Sequence, residues 1–366
     1  MHAIKEPNRY IVIIIFLISL GLLFFARPKI EPTSFKDSPL FEGKVVKVLS
    51  EKSVGKNDIA YLGATKIQTL LVEGKIDGAV KQISVENSIM TVEQGDRIFF
   101  QKMEDGKRFA MTEISRTRGL IWLSLFFVIL VLLVSGKKGL NALVGLVFTF
   151  AVIISFLVPR ILAGQNSIAV SLIGAIIILV GTLYVTYGWN KKSFSALVGI
   201  ALTLLFVSLL AQFTISELNF TGFASEEAAY LNQETGDRVN IIALLISGII
   251  IAAIGILDDV AITQASAVFT LKSAKTSLSR WDLFRKAMIV GKDHISAVIN
   301  TLILAYTGAA LPLVLLLAIG DNTQIGYTAS LEIVAEEIVR TLVSSAGLIL
   351  AVPATTFVAV LLAKRK

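Results

Sequence analysis

The feature that most constrains this chain is a succession of apolar runs that starts at Leu120 and continues almost to the C-terminus. The runs lie at 120–134, 140–158, 168–187, 194–213, 241–257, 295–319 and 333–362. About 20 predominantly apolar residues suffice for a helix to cross the roughly 30 Å hydrocarbon core of a bilayer. A backbone facing lipid must satisfy its own hydrogen bonds, which a helix does within a single segment. The last run is longer than a crossing needs, so its start lies at the interface or the helix tilts. A further run, 10–26, follows Lys5 and Arg9 as a signal peptide would, but Phe24, Phe25 and Ala26 before Arg27 and Pro28 form no small-residue cleavage pattern. It reads as an uncleaved anchor and brings the expected total to eight spans. Only 17% of the residues are charged and 55% are hydrophobic, whereas about a quarter are charged in ordinary soluble domains.

The one sizeable polar region is 27–118. Alternation of apolar and polar residues over 41–49, 66–72, 79–85, 97–102 and 109–114 predicts five short strands. Gly74, Gly78, Gly95 and Gly106 sit between or beside them as turn formers. The fold class expected is therefore an α-helical polytopic membrane protein of about eight transmembrane helices. A small β-rich extracytoplasmic domain, a barrel or sandwich at 27–118, lies between the first and second helices. An anchor occupies 1–26 and a membrane domain of seven helices 119–366.

The net charge is +7, and its distribution carries orientation rather than nucleic-acid binding. With the N-terminus in the cytoplasm, the inner segments hold Lys5 and Arg9, Lys137 and Lys138, Lys191 and Lys192, the basic group from Lys272 to Lys292, and Lys364, Arg365 and Lys366. The short outer loops hold only Arg160 and Arg238, and 216–237 is acidic. This is the asymmetry of the positive-inside rule. It predicts both termini inside and the β-domain outside.

Asp258 and Asp259 interrupt an apolar stretch that runs from 241 to 271. Adjacent carboxylates inside such a run are costly and call for a reason. Two readings stand: the span ends there and the acids meet cytoplasmic water, or the helix is broken and the acids bind a cation or carry a proton. Thr263, Ser266, Thr270 and Ser273 follow at helical steps, a hydroxyl stripe without the lysines of a surface-lying helix. That pattern predicts burial of 258–275 in protein, as a broken or re-entrant segment. In the last run Glu336 and Arg340 stand four residues apart, with Glu332 one turn before and Glu337 alongside; an i,i+4 ion pair is the expected contact. A salt-bridged interfacial start is the plain reading of this group, and the outer mouth of a pathway the functional one. The preceding run is entered through Asp293 and His294 and carries Asn300 and Thr301, with a bend expected around Gly308 to Pro312.

Some chemistries find no residues here. The chain has no cysteine, hence no disulfide or thiolate metal site, and its two histidines, His2 and His294, offer no His-rich one. No Gly-rich nucleotide loop and no Ser or paired-His catalytic motif is present. Enzymatic activity, nucleic-acid binding and a bound cofactor are accordingly not expected. Coupling to protons or to a metal cation, held by Asp258 and Asp259, is left open.

Several stretches together carry a family resemblance. They are Gly255-Ile-Leu-Asp-Asp-Val-Ala-Ile-Thr-Gln-Ala-Ser-Ala-Val-Phe, Gly291-Lys-Asp-His-Ile, Asn300-Thr-Leu-Ile-Leu-Ala-Tyr-Thr-Gly-Ala, and Glu336-Glu-Ile-Val-Arg-Thr-Leu ahead of Leu350-Ala-Val-Pro. The chain resembles the YibE/F family of bacterial membrane proteins over its membrane portion and, more loosely, over the anchor and outer domain. The resemblance implies a multi-pass protein of the bacterial plasma membrane, described as a permease without a settled substrate. The matching positions are Asp258, Asp259, Thr263, Gln264, Asp293, His294, Asn300, Thr301, Glu336, Glu337 and Arg340; the family assigns none of them a role.

The function expected is secondary transport of a small solute or ion along a carboxylate-bearing pathway between the last three helices. Asp258 and Asp259 bind the cation or proton, Thr263, Gln264 and Asn300 are neutral ligands, and Glu336 and Arg340 shape the outer end. The alternative is a membrane sensor or assembly factor whose outer domain binds a ligand or partner. The lipid bilayer and the transported species are the expected partners, with a homo-oligomer or another membrane protein left open.

Overall fold

The computed structural model describes residues 39–53, 66–76, 78–103, 107–319 and 325–363. The anchor expected at 10–26 with its flanking Lys5 and Arg9, Gly106, and the terminal cluster Lys364, Arg365 and Lys366 lie outside the described residues. The chain divides into two compact units, one over Ser34–Val134 and the other over Ser135–Lys366.

The first unit contains five strands, β1 (Leu40–Ser53), β2 (Lys66–Ile76), β3 (Ala79–Asn87), β4 (Arg97–Lys102) and β5 (Phe109–Ile114), each on one of the expected alternating segments. They close into a barrel in the order β1-β2-β3-β5-β4, with β3 and β5 parallel and every other pair antiparallel. This is a small closed barrel of five strands with one parallel pair. β1 is long because it serves both β2 and β4, and irregularities at Val45/Lys47 and Val48/Ser50 bend it between them. Inward residues fill the barrel: Val45, Leu70, Val72, Val85, Ile98, Phe100 and Met111 form a continuous apolar core. Phe100 is its centre, 5.7 Å from the Phe41 ring and 5.9 Å from Phe109. Gly43 makes room for it, since a Cβ there would stand 2.6 Å from Val72 Cγ1 and 2.9 Å from the Phe100 ring.

Two buried amides close one part of this core. Asn87 Nδ2 donates to Gln68 Oε1 (3.0 Å) and Met90 O (2.6 Å), while Gln68 Nε2 donates to Val92 O (3.1 Å) and Glu51 Oε2 (3.1 Å). Gln68 Oε1 also accepts from Val92 N. Buried polar groups satisfied in this way fix a register that apolar packing alone leaves loose. The Lys66 ammonium, with help from Gln68, holds the Glu51 carboxyl below the usual carboxylate range.

The rest of the described chain is helical, beginning with residues 117–134 of the first unit, and the chain is mostly helical. Among the described residues, six helical segments are long and apolar enough to cross a membrane, as befits a membrane protein. The first, Thr117–Leu162, combines the expected runs 120–134 and 140–158. It comprises α1 (Thr117–Val152), a π-helical turn at Ile153–Leu157 and α2 (Val158–Leu162). Within α1, Gly136 joins two helices with φ 52° and ψ −128°, a backbone that glycine adopts readily. Then come α3 (Ser167–Tyr187), α4 (Lys191–Glu217), the short polar α5 (Glu226–Thr235), α6 (Ile241–Ala274) and α7 (Arg280–Ala309). α8 (Leu311–Ile319), α9 (Ile325–Ser330) and α10 (Glu332–Leu362) complete the unit. The expected run 295–319 is thus divided between α7 and α8 just before Pro312, which cannot donate a backbone hydrogen bond.

Side-chain caps start five helices: Asn166, Asn190, Ser225, Asn240 and Ser279 each accept a backbone N–H of the first turn. Small residues set the closest helix approaches. Gly199 of α4 lies against Thr355 of α10, and Gly347 of α10 against Val207 of α4. Phe100→Ala is expected to destabilise the barrel by about 3–5 kcal/mol. Amide hydrogen exchange on the full chain reads this, and undiminished protection of β1 would exclude a central role for that ring.

Candidate functional site

Asn240 fixes the start of α6 by accepting from Ala243 N at 2.8 Å. Asp258 then falls seventeen residues beyond Ile241, about 25 Å along the axis at 1.5 Å per residue. That is close to the far side of a hydrocarbon layer roughly 30 Å thick. α6 does not stop there. It runs unbroken through Asp258 and Asp259 to Ala274, 34 residues in all. The helix is therefore not broken at the acids as expected for 258–275: its backbone hydrogen bonds continue through them to Ala274.

The two acids differ in surroundings. Asp259 is exposed, whereas Asp258 is half-buried between α6 and α3. Asp258 Oδ2 accepts from the Thr182 hydroxyl of α3 at 3.4 Å. Its Oδ1 is shielded and has no hydrogen-bond partner among the described residues. A shielded, incompletely paired carboxylate is an energetically demanding group in a protein interior. Tyr187 ends α3, five residues beyond Thr182. Tyr187 also lines a pocket of about 370 Å³ together with Asn190, Lys191, Lys192, Ile262, Ser266 and Phe269. Ile262 and Ser266 stand one and two turns beyond Asp258 on the same face of α6. The site is thus a carboxylate with one hydroxyl donor, next to a pocket with mixed polar and apolar walls.

The hydroxyl stripe is not buried as expected. Thr263, Thr270 and Ser273 are exposed, and only Ser266 is drawn in. The opposite face of the helix is the packed one, through Val260, Ala261, Gln264, Ala265 and Val268. Gln264 is 2% exposed, and its Nε2 donates to Ala287 O of α7 (3.0 Å) and to Thr356 Oγ1 of α10 (2.7 Å). It ties three helices together, roughly 120° around α6 from Asp258. Gly291 permits this closeness, since a Cβ there would collide with Val352 and crowd the Gln264 amide.

The acids of α10 also pair differently from the expected i,i+4 contact. Arg340 Nη1 bonds Glu337 Oε2 at 3.0 Å rather than Glu336. Glu332 accepts from Thr221 N (2.6 Å), Gly222 N (2.7 Å) and the Thr221 hydroxyl, fastening the loop after α4. Glu336 Oε1 is shielded and has no hydrogen-bond partner among the described residues, while its carboxyl approaches that of Glu332. Glu337 and Thr341 face Tyr306 and Thr307 across an apolar pocket of about 190 Å³ between α7, α8 and α10. On α7, Asp293, Asn300 and Thr301 are exposed and His294 is half-buried; none is brought to Asp258. The partner of Asp258 is on α3, so the acid does not face the last helices as expected.

Thr182 and Tyr187 were not singled out from the sequence. The only signal for Thr182 is a hydroxyl within an otherwise apolar run. Among the described residues there is no group of three or more Asp, Glu or His placed to hold a metal ion. Gln264→Ala is expected to lower stability by about 1–3 kcal/mol, because it leaves the Ala287 carbonyl and the Thr356 hydroxyl without their donor. Thermal unfolding of the purified chain in detergent measures this, and an unchanged midpoint would remove the tie from the account.

No curated protein and no solved structure matches the chain. The profile of the family described as YibE/F-like protein matches residues 123–365. That stretch takes in both acids of α6, the Gln264 tie and the whole of α10, and it places this chain in the YibE/F-like family.

Proposed function

We propose that this protein is a secondary transporter of a small solute or ion, with Asp258 as the group that binds the transported or coupling cation. The observation that carries the reading is the shielded, unpartnered Oδ1 of Asp258 in a helix apolar enough to cross a membrane. Ionisable groups in such helices mark pathways far more often than they serve packing. Thr182 supplies a neutral oxygen beside the carboxylate, and the Tyr187–Ser266 pocket gives a vestibule on the side of Lys191 and Lys192. The pathway in this reading runs along the α3-facing side of α6 rather than between the last three helices.

The membrane placement is part of the proposal: eight spans including 10–26, a bacterial plasma membrane, both termini cytoplasmic and the barrel outside. It rests on the side-by-side distribution of Lys137, Lys138, Lys191, Lys192 and the basic group 272–292 against Arg160 and Arg238. Reporter fusions at each terminus are expected to be active only in the cytoplasm, and an active periplasmic fusion at either end would overturn this arrangement.

A second reading has one favourable observation, the complete closed barrel. In that reading the protein is a sensor or assembly factor, and deletion of 32–112 removes its function entirely. Because the solute is unidentified, the transport reading is tested by comparing metabolite and metal contents of cells that carry the wild-type gene, no gene, or Asp258→Asn. The variant is expected to accumulate in the membrane at the wild-type level yet match the gene-less cells. Contents indistinguishable from wild type would sink the role assigned to Asp258.

A further inference from the structure

Along α10 three polar atoms in consecutive turns of one face are shielded and have no hydrogen-bond partner among the described residues: Glu336 Oε1, Arg340 Nε and Ser344 Oγ. Among the other hydroxyls of the same helix, Thr355 Oγ1 is likewise shielded and without a partner among the described residues, where it packs against Gly199, but three are satisfied. Thr341, Ser345 and Thr356 each donate to the carbonyl four residues back, at 2.9, 2.7 and 2.7 Å. This is the usual way for a hydroxyl to satisfy itself in a helix. Ser344 does not, although it is 1% exposed. The charged groups around the row are already committed. Arg340 bonds Glu337, and Glu332 bonds the Thr221–Gly222 backbone. Exposure falls along the row, from an Arg340 side chain at 34% to the closed end at Ser344, about 12 Å from Glu336 along the axis. Buried polar atoms without protein partners are the groups that ordered water satisfies where there is space for it.

We propose that Glu336, Arg340 and Ser344 line a hydrated column that enters the helical unit at the N-terminal end of α10 and ends at Ser344. Its ligand is water, together with the small cations that water carries. Glu332, Glu336 and Glu337 set three carboxyls against the single guanidinium of Arg340 at its mouth, so the column favours cations over anions. The inference deepens the transport reading, on which it rests, by adding an outer-side entry that does not involve Asp258.

The chain has no cysteine, so Ser344→Cys is a near-isosteric variant with a single thiol. The full chain, reconstituted in liposomes, is treated with 2-aminoethyl methanethiosulfonate and, separately, with its anionic sulfonatoethyl counterpart, and intact mass reports labelling. Ser344→Cys is expected to be labelled to completion, faster by about tenfold with the cationic reagent. Val343→Cys, in the apolar core beside it, is expected to stay unlabelled. No labelling of Ser344→Cys in a monodisperse protein overturns the column, and so does equal labelling of Val343→Cys. Should Ser344→Cys fail to fold, an experimental map of the wild-type chain that resolves water decides instead: water on Ser344 Oγ and Arg340 Nε supports the column and a dry contact overturns it. Labelling of Ser344→Cys alongside wild-type cell contents in Asp258→Asn would keep the column and discard the transport role of Asp258.

Discussion

The helical unit is governed by the scarcity of hydrogen-bond partners in an apolar surround. Where water is absent, each polar group entering a helix face must be answered by the protein itself, at a penalty of several kcal/mol if it is not. Most of them are answered locally. Thr149, Thr203, Ser247, Thr341, Ser345 and Thr356 donate to carbonyls of their own helices. Gln264 is answered between helices, and because both its acceptors are fixed it sets the relative positions of α6, α7 and α10. Against this economy the exceptions are informative. Asp258, Glu336, Arg340 and Ser344 each keep an unanswered atom. Packing alone would have favoured apolar residues of similar size at these places.

Much of this architecture is legible in the amino-acid order because it depends on short-range periodicity. Alternation over five segments gives the five strands, and uninterrupted apolar runs give the long helices. Asparagine and serine at 166, 190, 225, 240 and 279 mark helix starts through a chemistry that acts within one turn. The barrel's closure is less legible, since the parallel pairing of β3 with β5 joins segments more than twenty residues apart. The Gln68–Asn87 pair that braces its core belongs to the same class. Nothing in either local sequence distinguishes these buried amides from ordinary exposed ones.

At the candidate site the division is similar. Asp258 stands out in sequence by its setting, but its neighbour does not, because the hydroxyl that reaches it comes from residue 182 on another helix. Spacing of four points Arg340 to Glu336, yet spacing of three is equally available in a helix, and Arg340 takes Glu337. The hydroxyl stripe from Thr263 to Ser273 was correctly placed on one helical face, but periodicity cannot say whether a face looks inward. The long buried face of α6, with Gln264 in it, took that place instead.

α6 and α7 both continue well past the level of Asp258, joined by a turn that Lys272 clamps through the Thr276 and Leu278 carbonyls. Alanines and valines at 265, 268, 287, 359 and 360 bring these helices and the end of α10 into close contact. Such a hairpin is stiff, for small side chains leave little room for shear. A load on the 275–279 turn is therefore carried through the Lys272 clamp and the Val268 and Ala265 contacts to Gln264, one and a half turns of α6 from the acid pair.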